Sequence, residues 1–354
     1  MSMRETVNFA VVGLGIGQSH IGAIRATPGA RLVAVCATDE EALEKTARTY
    51  GVEAYTDYHR LLERPDVDVV CVCTPSGLHA EVGIAAAQAG KHVLCEKPLD
   101  ITLARADALI TACKQAGVWL GAVFQNRFHP LNRAIKATID EGRLGRIVYA
   151  DAHLYWYRAH SYFAGGDPKG WHGTWALDGG GAFMNQGIHN IDLIQWLVGP
   201  VKSVYAKAGT YTHDIETEDV GTAILTFENG ALGSLTCTTS AYPGLSNDLH
   251  VIGENGSIVT QDHRLVTWRI RGESQQAEAE EERRMLDAYS ASGPSPAFDP
   301  KIVGGHQAHI EDMVAAVREG REPKLSGERA RPGLALAIAI LESAKAGREV
   351  EVPR

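Results

Sequence analysis

The side chain whose position most clearly suggests a chemical role is a lysine at the end of an apolar segment. Glu96-Lys97-Pro98 closes residues 92–96, whose apolar character predicts a strand. Lysines at the carboxyl ends of strands in a doubly wound sheet point into the crevice where such sheets bind ligands. An ammonium group there stabilises negative charge that develops on a substrate oxygen. We therefore expect Lys97 to be catalytic, on a turn that Pro98 stiffens and that can hold a cis peptide bond.

A second set of polar side chains lies on a predicted helix or on the turn leading into it. Asn185, His189 and Asp192 recur at i, i+4 and i+7 and so share one face. An imidazole titrates near neutral pH and can remove a hydroxyl proton as hydride leaves, which makes His189 the expected base. A structural histidine is the alternative. A metal site is a third interpretation, because His and Asp at i, i+3 can chelate, but no further ligand cluster in the sequence supports it and we predict none.

Three glycines lie between the first predicted strand and a predicted helix. Their order, Gly13, Gly15 and Gly17, is one residue tighter than the G-x-G-x-x-G fingerprint, and Gln18 stands where the last glycine usually lies. Glycines let the backbone approach a pyrophosphate, whose charge meets the N-terminus of the helix. We predict a dinucleotide site in this turn, with Ile16 among its contacts.

The end of the second strand bears on the choice between NAD and NADP. Thr38 and Asp39 lie there, and Asp39 is 22 residues past Gly17, close to the expected offset of an acid that binds the ribose hydroxyls. No arginine follows before Arg48 to neutralise a 2′-phosphate. We therefore favour NAD, with NADP as the alternative. Capping of the following helix is a rival role for Asp39.

The turn that ends the next long strand completes the cofactor prediction. Its Thr-Pro sequence is expected to place the backbone beside the nicotinamide ribose. A plain strand-to-helix turn capped by Ser76 is the alternative, and both roles can hold together. The predicted cofactor contacts at these strand ends are Thr74, Pro75, His79, Glu96 and Lys97.

The order of the predicted elements indicates the fold class. Over residues 1–125, unbroken apolar strands alternate with helices, as in a parallel sheet covered on both faces. From residue 126, strands follow at hairpin intervals, with Asn-Gly turns at 229–230 and 255–256. We predict an α/β protein with a Rossmann doubly wound parallel sheet in 1–125. Residues 126–354 are expected to form an α+β domain for substrate binding and oligomerisation, with a large, open, mainly antiparallel sheet.

Composition and charge exclude several classes of partner. A net charge of −9 in 354 residues argues against nucleic acid, which needs a clustered basic surface. The longest apolar run, 334–341, is far shorter than the ~20 residues of a membrane span. The six cysteines lack the paired spacing of zinc or redox sites and several lie in apolar strands, so we expect buried thiols. With a strand expected from residue 7 and no room for a signal sequence, we predict a cytoplasmic protein.

Over nearly its whole length the chain resembles the Gfo/Idh/MocA oxidoreductases, named for glucose–fructose oxidoreductase and inositol dehydrogenase. The motifs that carry the resemblance are the glycine turn with His20, Thr74-Pro75 with His79, Glu96-Lys97-Pro98, and Gly179-Gly180-Gly181 leading to His189 and Asp192. The resemblance implies hydride transfer between NAD(P) and a secondary hydroxyl of a sugar, cyclitol or sugar derivative. It also implies homodimers or homotetramers formed through the free face of the C-terminal sheet.

The same resemblance implies roles for individual residues. Lys97 matches the active-site lysine and His189 the catalytic histidine. Asn185 stands where many members have aspartate, so the Lys–Asp–His scheme lacks its carboxylate here, although an amide can still hydrogen-bond a substrate hydroxyl. Residue types, apart from the resemblance, add His306 as a pocket candidate and several substrate contacts, because aromatic faces pack on sugar C–H groups and polar side chains hydrogen-bond hydroxyls. An ordinary core position is the alternative for Trp175. The predicted substrate contacts are Lys97, Asn126, Arg127, Arg158, His172, Trp175, Asn185 and His189.

Two other functions stay open beside a dehydrogenase. The same site run in reverse is an NADP-linked ketosugar reductase. A non-catalytic, dinucleotide-sensing regulator is the alternative from a different class, and the presence of both Lys97 and His189 counts against it.

Overall fold

A six-stranded parallel sheet forms the core of the first of two units. The computed structural model describes residues 6–166, 168–290 and 304–354. The first unit comprises the described residues within Met1–Gln125, Ser161–Gly179 and Lys301–Leu334, and the second those within Asn126–His160, Gly180–Pro300 and Ala335–Arg354.

The strands of the first sheet are short, and the central strands are apolar. They are β1 (Val7–Val12), β2 (Ala30–Cys36), β3 (Glu53–Tyr55), β4 (Val69–Val72), β5 (His92–Cys95) and β6 (Leu120–Ala122). Their spatial order is β3-β2-β1-β4-β5-β6, and every neighbouring pair is parallel. β1 and β4 are buried at every position, as expected of central strands with both faces covered. This is the doubly wound sheet that the alternating pattern predicts.

The second unit is built on an eight-stranded sheet. Its strands are β7 (Ile147–Tyr155), β8 (Val201–Gly209), β9 (Val220–Phe227), β10 (Leu232–Thr238), β11 (Asn247–Gly253), β12 (Gly256–Gln261), β13 (Arg264–Ile270) and β14 (Val350–Glu351). The order is β13-β12-β11-β7-β10-β9-β8-β14, and only β7 and β10 pair in parallel. Buried and exposed residues alternate along β9, so one face packs inward. The predicted mainly antiparallel sheet is confirmed.

The helices have these bounds: α1 (Gly17–Ala26), α2 (Glu40–Tyr50), α3 (Tyr58–Leu62), α4 (His79–Gln88), α5 (Leu103–Ala116), α6 (Pro130–Asp140), α7 (His160–Ala164), α8 (Ile188–Val198), α9 (Gln275–Tyr289), α10 (Gly304–Glu319) and α11 (Gly327–Ala346). Short 3₁₀ turns cover Ser76–Leu78 and Gln125–Phe128, and a π-helical turn covers Ala182–Gln186. The sequence predicts a polar surface excursion over 272–300. It begins with α9, and its residues 291–300 lie outside the described part of the chain.

Two whole-chain expectations concern cysteines and membranes. All six cysteines are buried and carry free thiols, and burial raises the pKa of Cys36 to about 12. In the described ranges, no helix combines the length and hydropathy that a bilayer crossing needs. A cytoplasmic location stays a prediction.

A buried histidine connects α10 to the end of β6. His309 accepts a hydrogen bond at Nε2 from the Phe124 N–H at 3.1 Å and donates from Nδ1 to the Gly305 carbonyl at 2.9 Å. Burial lowers the pKa of His309 to about 4. The ring is therefore neutral at pH 7, which matches one accepting and one donating nitrogen.

This neutral histidine predicts a pH dependence of stability. In the unfolded chain His309 titrates near 6.5, so that state binds more protons between pH 6.5 and 4, and stability is lost as the pH falls through that window. We expect about 2 kcal/mol of this loss between pH 7 and 5 to disappear in His309→Gln, whose Oε1 can take the Phe124 N–H. The measurement is the free energy of urea unfolding at both pH values. His59→Gln, at an exposed position, is the control, and an unchanged pH slope in His309→Gln would refute the assignment.

Candidate active site

The glycine turn after β1 has the geometry of a phosphate cradle. Gly13 has φ +94°, and a Cβ there would lie 2.3 Å from the Cys73 carbonyl oxygen, so no other residue fits. A Cβ on Gly15 would meet nothing within 4 Å, which leaves open space beside the turn. Among the described residues no side chain caps α1, and its first turn holds no acidic residue. These features fit the negatively charged pyrophosphate of a dinucleotide, with Ile16 and Gly17 at the start of the helix.

The end of β2 places the predicted ribose contacts at the surface. Thr38 and Asp39 are both exposed. Asp39 is the N-cap of α2, and its Oδ1 accepts a hydrogen bond from the Ala42 N–H at 3.0 Å. The capping role is therefore present, and the ribose role of Asp39 stays a prediction.

His79 connects the turn after β4 to the turn after β5. It is buried, with Nδ1 2.6 Å from the Pro98 carbonyl oxygen and Nε2 2.8 Å from the Thr74 carbonyl oxygen. Burial lowers the pKa of His79. Thr74 also has a buried hydroxyl that meets no hydrogen-bond partner among the described residues, which suits a turn that contacts a ligand. Pro75 precedes the 3₁₀ turn, as expected of a strand-to-helix connection.

Glu96 holds the backbone of Lys97 in place. Its carboxylate is buried; Oε1 accepts hydrogen bonds from His20 Nε2 at 2.8 Å and His306 Nε2 at 3.1 Å, and Oε2 accepts from the Lys97 N–H at 3.1 Å. Burial alone would raise the pKa of Glu96, but the bonds from His20 and His306 hold it well below its usual value. Lys97 itself is half-buried, and its bond to Pro98 is cis.

The same three side chains are the one group among the described residues with the spacing of metal ligands. The ligand atoms of His20, Glu96 and His306 lie within 4.8 Å of one another. However, the two short distances are hydrogen-bond lengths, and burial lowers the pKa of His20, so a neutral imidazole donating to an ionised carboxylate accounts for the geometry. We interpret the group as a hydrogen-bonded cluster. The sequence identified His306 only as a pocket candidate, because it lies 210 residues from Glu96.

In the second unit, a glycine turn leads to the predicted base. A Cβ on Gly181 would lie 1.9 Å from the Glu218 carbonyl oxygen, and the Glu218 carboxylate accepts from the N–H groups of Gly181 at 3.0 Å and Phe183 at 2.9 Å. The π-helical turn follows and carries Asn185, which is 8% exposed. His189 lies half-buried in the first turn of α8. Asn185 is thus on the turn leading into the helix.

Arg127 forms a two-bond ion pair with Asp192, a residue of α8. Arg127 Nε and Nη2 donate to the two carboxylate oxygens of Asp192 at 2.8 and 2.6 Å. Burial raises the pKa of Asp192, and Arg127 opposes that shift. The carbonyl of Asn126 accepts from Asn132 Nδ2 at 2.9 Å. Arg127 therefore holds α8, and the predicted substrate roles of Asn126 and Arg127 stay predictions.

The remaining predicted substrate contacts fall into two groups. In the second unit, Arg158 Nη2 donates to Gln186 Oε1 at 2.9 Å, a neighbour that the sequence analysis did not single out. In the first unit, His172 stacks on Tyr162 with ring centroids 4.3 Å apart, and its Nδ1 lies 3.8 Å from an Asp178 oxygen. Trp175 is 49% exposed. The structure thus brings Arg158 into contact with Gln186, the residue after Asn185, whereas His172 and Trp175 belong to the segment 161–179 of the first unit.

Two family descriptions match this chain. "Oxidoreductase family, NAD-binding Rossmann fold" matches residues 7–124, and "GFO/IDH/MocA C-terminal domain" matches residues 132–259. The first match confirms the prediction of an oxidoreductase with NAD as cofactor. Both agree with the predicted fold class.

Individual relatives extend the likeness over the full chain. The crystal structure of the WlbA dehydrogenase from Bordetella pertussis, in complex with NADH and UDP-GlcNAcA, is 33% identical with a TM-score of 0.88, and the match covers 100% of both chains. Myo-inositol 2-dehydrogenase of Thermotoga maritima is 29% identical over 353 residues, 98% of each chain. Levoglucosan dehydrogenase of Pseudarthrobacter phenanthrenivorans is 28% identical over 400 residues, 99% of each chain.

The surface position of Asp39 generates a test of cofactor choice. If its carboxylate also binds the ribose hydroxyls, kcat/KM for NAD exceeds that for NADP in the unaltered protein, and Asp39→Ala shrinks that ratio. Asp57→Ala is the matched control. Asp57 caps α3 through its carboxylate, so this substitution removes only a helix cap. A preference for NADP in the unaltered protein, or the same ratio in Asp39→Ala, would contradict the assignment.

Proposed function

We propose, since the chain belongs to the Gfo/Idh/MocA family of oxidoreductases, that it is an NAD-dependent dehydrogenase acting on a secondary hydroxyl of a sugar, glycoside or cyclitol. The observation that supports the proposal is the way in which the Lys97 backbone is held at the end of β5. Its N–H is bonded to a buried, ionised Glu96 at the carboxyl end of β5, in the same unit as the glycine cradle. The names of the inositol and levoglucosan dehydrogenases support the substrate class.

The proposed chemistry divides between two side chains. His189 accepts the hydroxyl proton on its imidazole, and the Lys97 ammonium donates to the oxygen as negative charge develops on it. NAD, when bound, accepts the hydride from the carbon. The glycine turn is expected to hold the phosphates, so loss of either side chain should change cofactor affinity little. Loss of a proton and a hydride leaves a ketone, and the reverse reaction is the alternative ketosugar reduction.

A nucleotide-linked uronic acid is a second candidate for the substrate. It is favoured by the likeness to the WlbA dehydrogenase, whose crystal structure contains UDP-GlcNAcA. Arg158, with its guanidinium 5.0 Å from the Trp156 ring centroid, offers a cation and an aromatic face in the second unit. Such a substrate presents both a carboxylate and rings that suit these groups.

We infer that the chain forms homodimers or homotetramers through the open face of the second sheet. Tyr205, Ile224 and Leu232 are 39%, 59% and 53% exposed. Tyr205 pairs directly with Ile224, and Leu232 lies on the same face through its pairing with Thr226. Light scattering should give the mass of two or four chains, and Ile224→Lys should lower it. A single-chain mass for the unaltered protein would contradict this inference.

The direct test of function is a screen of polyols, sugars and nucleotide sugars with NAD and with NADP. We expect steady formation of NADH with at least one secondary alcohol. Lys97→Met should lower kcat by about 10²–10⁴ while NADH affinity changes little. Lys45→Met, at an exposed position on α2, is the control. NADH binding without turnover of any compound would favour the dinucleotide-sensing regulator instead.

A further inference from the structure

A chain of hydrogen bonds in the second unit leads from Arg158 to Asn185. Arg158 Nη2 donates to Gln186 Oε1 at 2.9 Å, and Gln186 Nε2 donates to Asn185 Oδ1 at 3.2 Å. Gln186 and Asn185 are only 7% and 8% exposed. Buried amides keep the hydrogen-bond partners that the protein gives them, because water is not at hand to replace those partners.

The direction of this chain is determined by its first member. A guanidinium has donors and no acceptor, so the atom of Gln186 that faces Arg158 is the oxygen. The NH₂ group of Gln186 then faces Asn185, which presents its own oxygen in turn. The two ends of the Asn185 amide are therefore distinguished: Oδ1 accepts from Gln186, and the NH₂ group is the end directed away from it.

The backbone of Arg158 is held by a buried pair, His213 and Asp219. His213 lies between two acceptors, with Nε2 2.7 Å from the Arg158 carbonyl oxygen and Nδ1 3.0 Å from Asp219 Oδ2. The Asp219 carboxylate also accepts from the N–H groups of Tyr211, Thr212 and His213. Burial alone would raise the pKa of Asp219, but these backbone bonds lower it, so the anchor stays ionised. The backbone of Arg158 is thereby fixed where the chain of amides begins.

We propose that Gln186 and Arg158 are positioning residues that make Asn185 a hydrogen-bond donor to a substrate oxygen. This inference rests on the proposed dehydrogenase function and deepens it. A donor at this position recognises an oxygen lone pair and favours an oxygen that gains negative charge. It cannot accept the hydroxyl proton, which an aspartate at the same position could. The polarity is imposed by Arg158 through Gln186 and is not a property of Asn185 alone.

The decisive variant reverses the polarity without removing the first bond. In Gln186→Glu the carboxylate still accepts from Arg158, but it has no donor for Asn185, so the Asn185 amide turns its NH₂ group towards residue 186. We expect kcat/KM to fall by about 10–100-fold, which is the range for loss of one hydrogen bond to an atom that carries or gains charge. Gln195→Glu is the matched control, because Gln195 is a buried glutamine of α8 that accepts from the Val201 N–H at 3.4 Å. An equal loss in Gln195→Glu would show that added charge, rather than polarity, is responsible.

Two further variants keep the test valid if a buried glutamate disturbs folding. Asn185→Asp preserves the bond from Gln186 but presents an acceptor. Its activity relative to the unaltered protein should rise as the pH falls, because a protonated carboxyl group donates. Arg158→Met removes the group that donates to Gln186 Oε1 and should lower kcat/KM by a similar factor, about 10–100-fold.

Thermal midpoint and NADH affinity, measured for every variant, separate misfolding from lost chemistry. An active unaltered protein whose Gln186→Glu variant matches it in kcat/KM, with no relative pH effect in Asn185→Asp, would overturn the inference and leave the proposed function standing. An unaltered protein that oxidises no compound of the panel would instead overturn the proposed function.

Discussion

A buried carboxylate needs hydrogen-bond donors, and the donors to Glu96 come from three separate segments of the chain. His20 comes from the helix that follows the glycine turn, His306 from α10 near the far end of the chain, and the third donor is the Lys97 N–H itself. Removing one partner of a buried charge is costly, by about 3–5 kcal/mol for ion pairs, because the remaining charge keeps its desolvation penalty. The cradle helix and the lysine therefore share one anchor, and the geometry of the strand end depends on it.

In the second unit, another buried carboxylate, that of Glu218, also accepts hydrogen bonds from backbone N–H groups. Glu218 accepts from the N–H groups of Gly181 and Phe183, and its own carbonyl oxygen lies where a side chain at Gly181 would be. That close approach requires glycine, and the π-helical turn that carries Asn185 begins at the next residue. In both units a buried carboxylate bonds backbone N–H groups and so fixes a turn. Two of the predicted site residues, Lys97 and Asn185, stand on those turns.

Local patterns in the sequence predicted much of this arrangement. Unbroken apolar strands, glycine spacing and the lysine after β5 are properties of neighbouring residues, so the doubly wound sheet and the cradle could be read from them. The start of α11 could not. Proline favours the first turn of a helix, yet α11 begins at Gly327 and contains Pro332 in its interior. Long-range partners such as His306 leave no local signal. The orientation of the Asn185 amide could not be predicted from the sequence either, because it depends on the guanidinium of Arg158, which lies 28 residues away from Gln186.

We propose that Lys97 and His189 handle the charge and the proton of one hydroxyl. A double-mutant cycle tests it most directly, with kcat measured for Lys97→Met, His189→Ala and the combined variant on the same substrate. Residues that act as a unit are strongly non-additive. We expect the double variant to lose far less than the product of the two single losses, with little change in NADH affinity in all three variants. Losses that multiply, or near-normal turnover in either single variant, would contradict it.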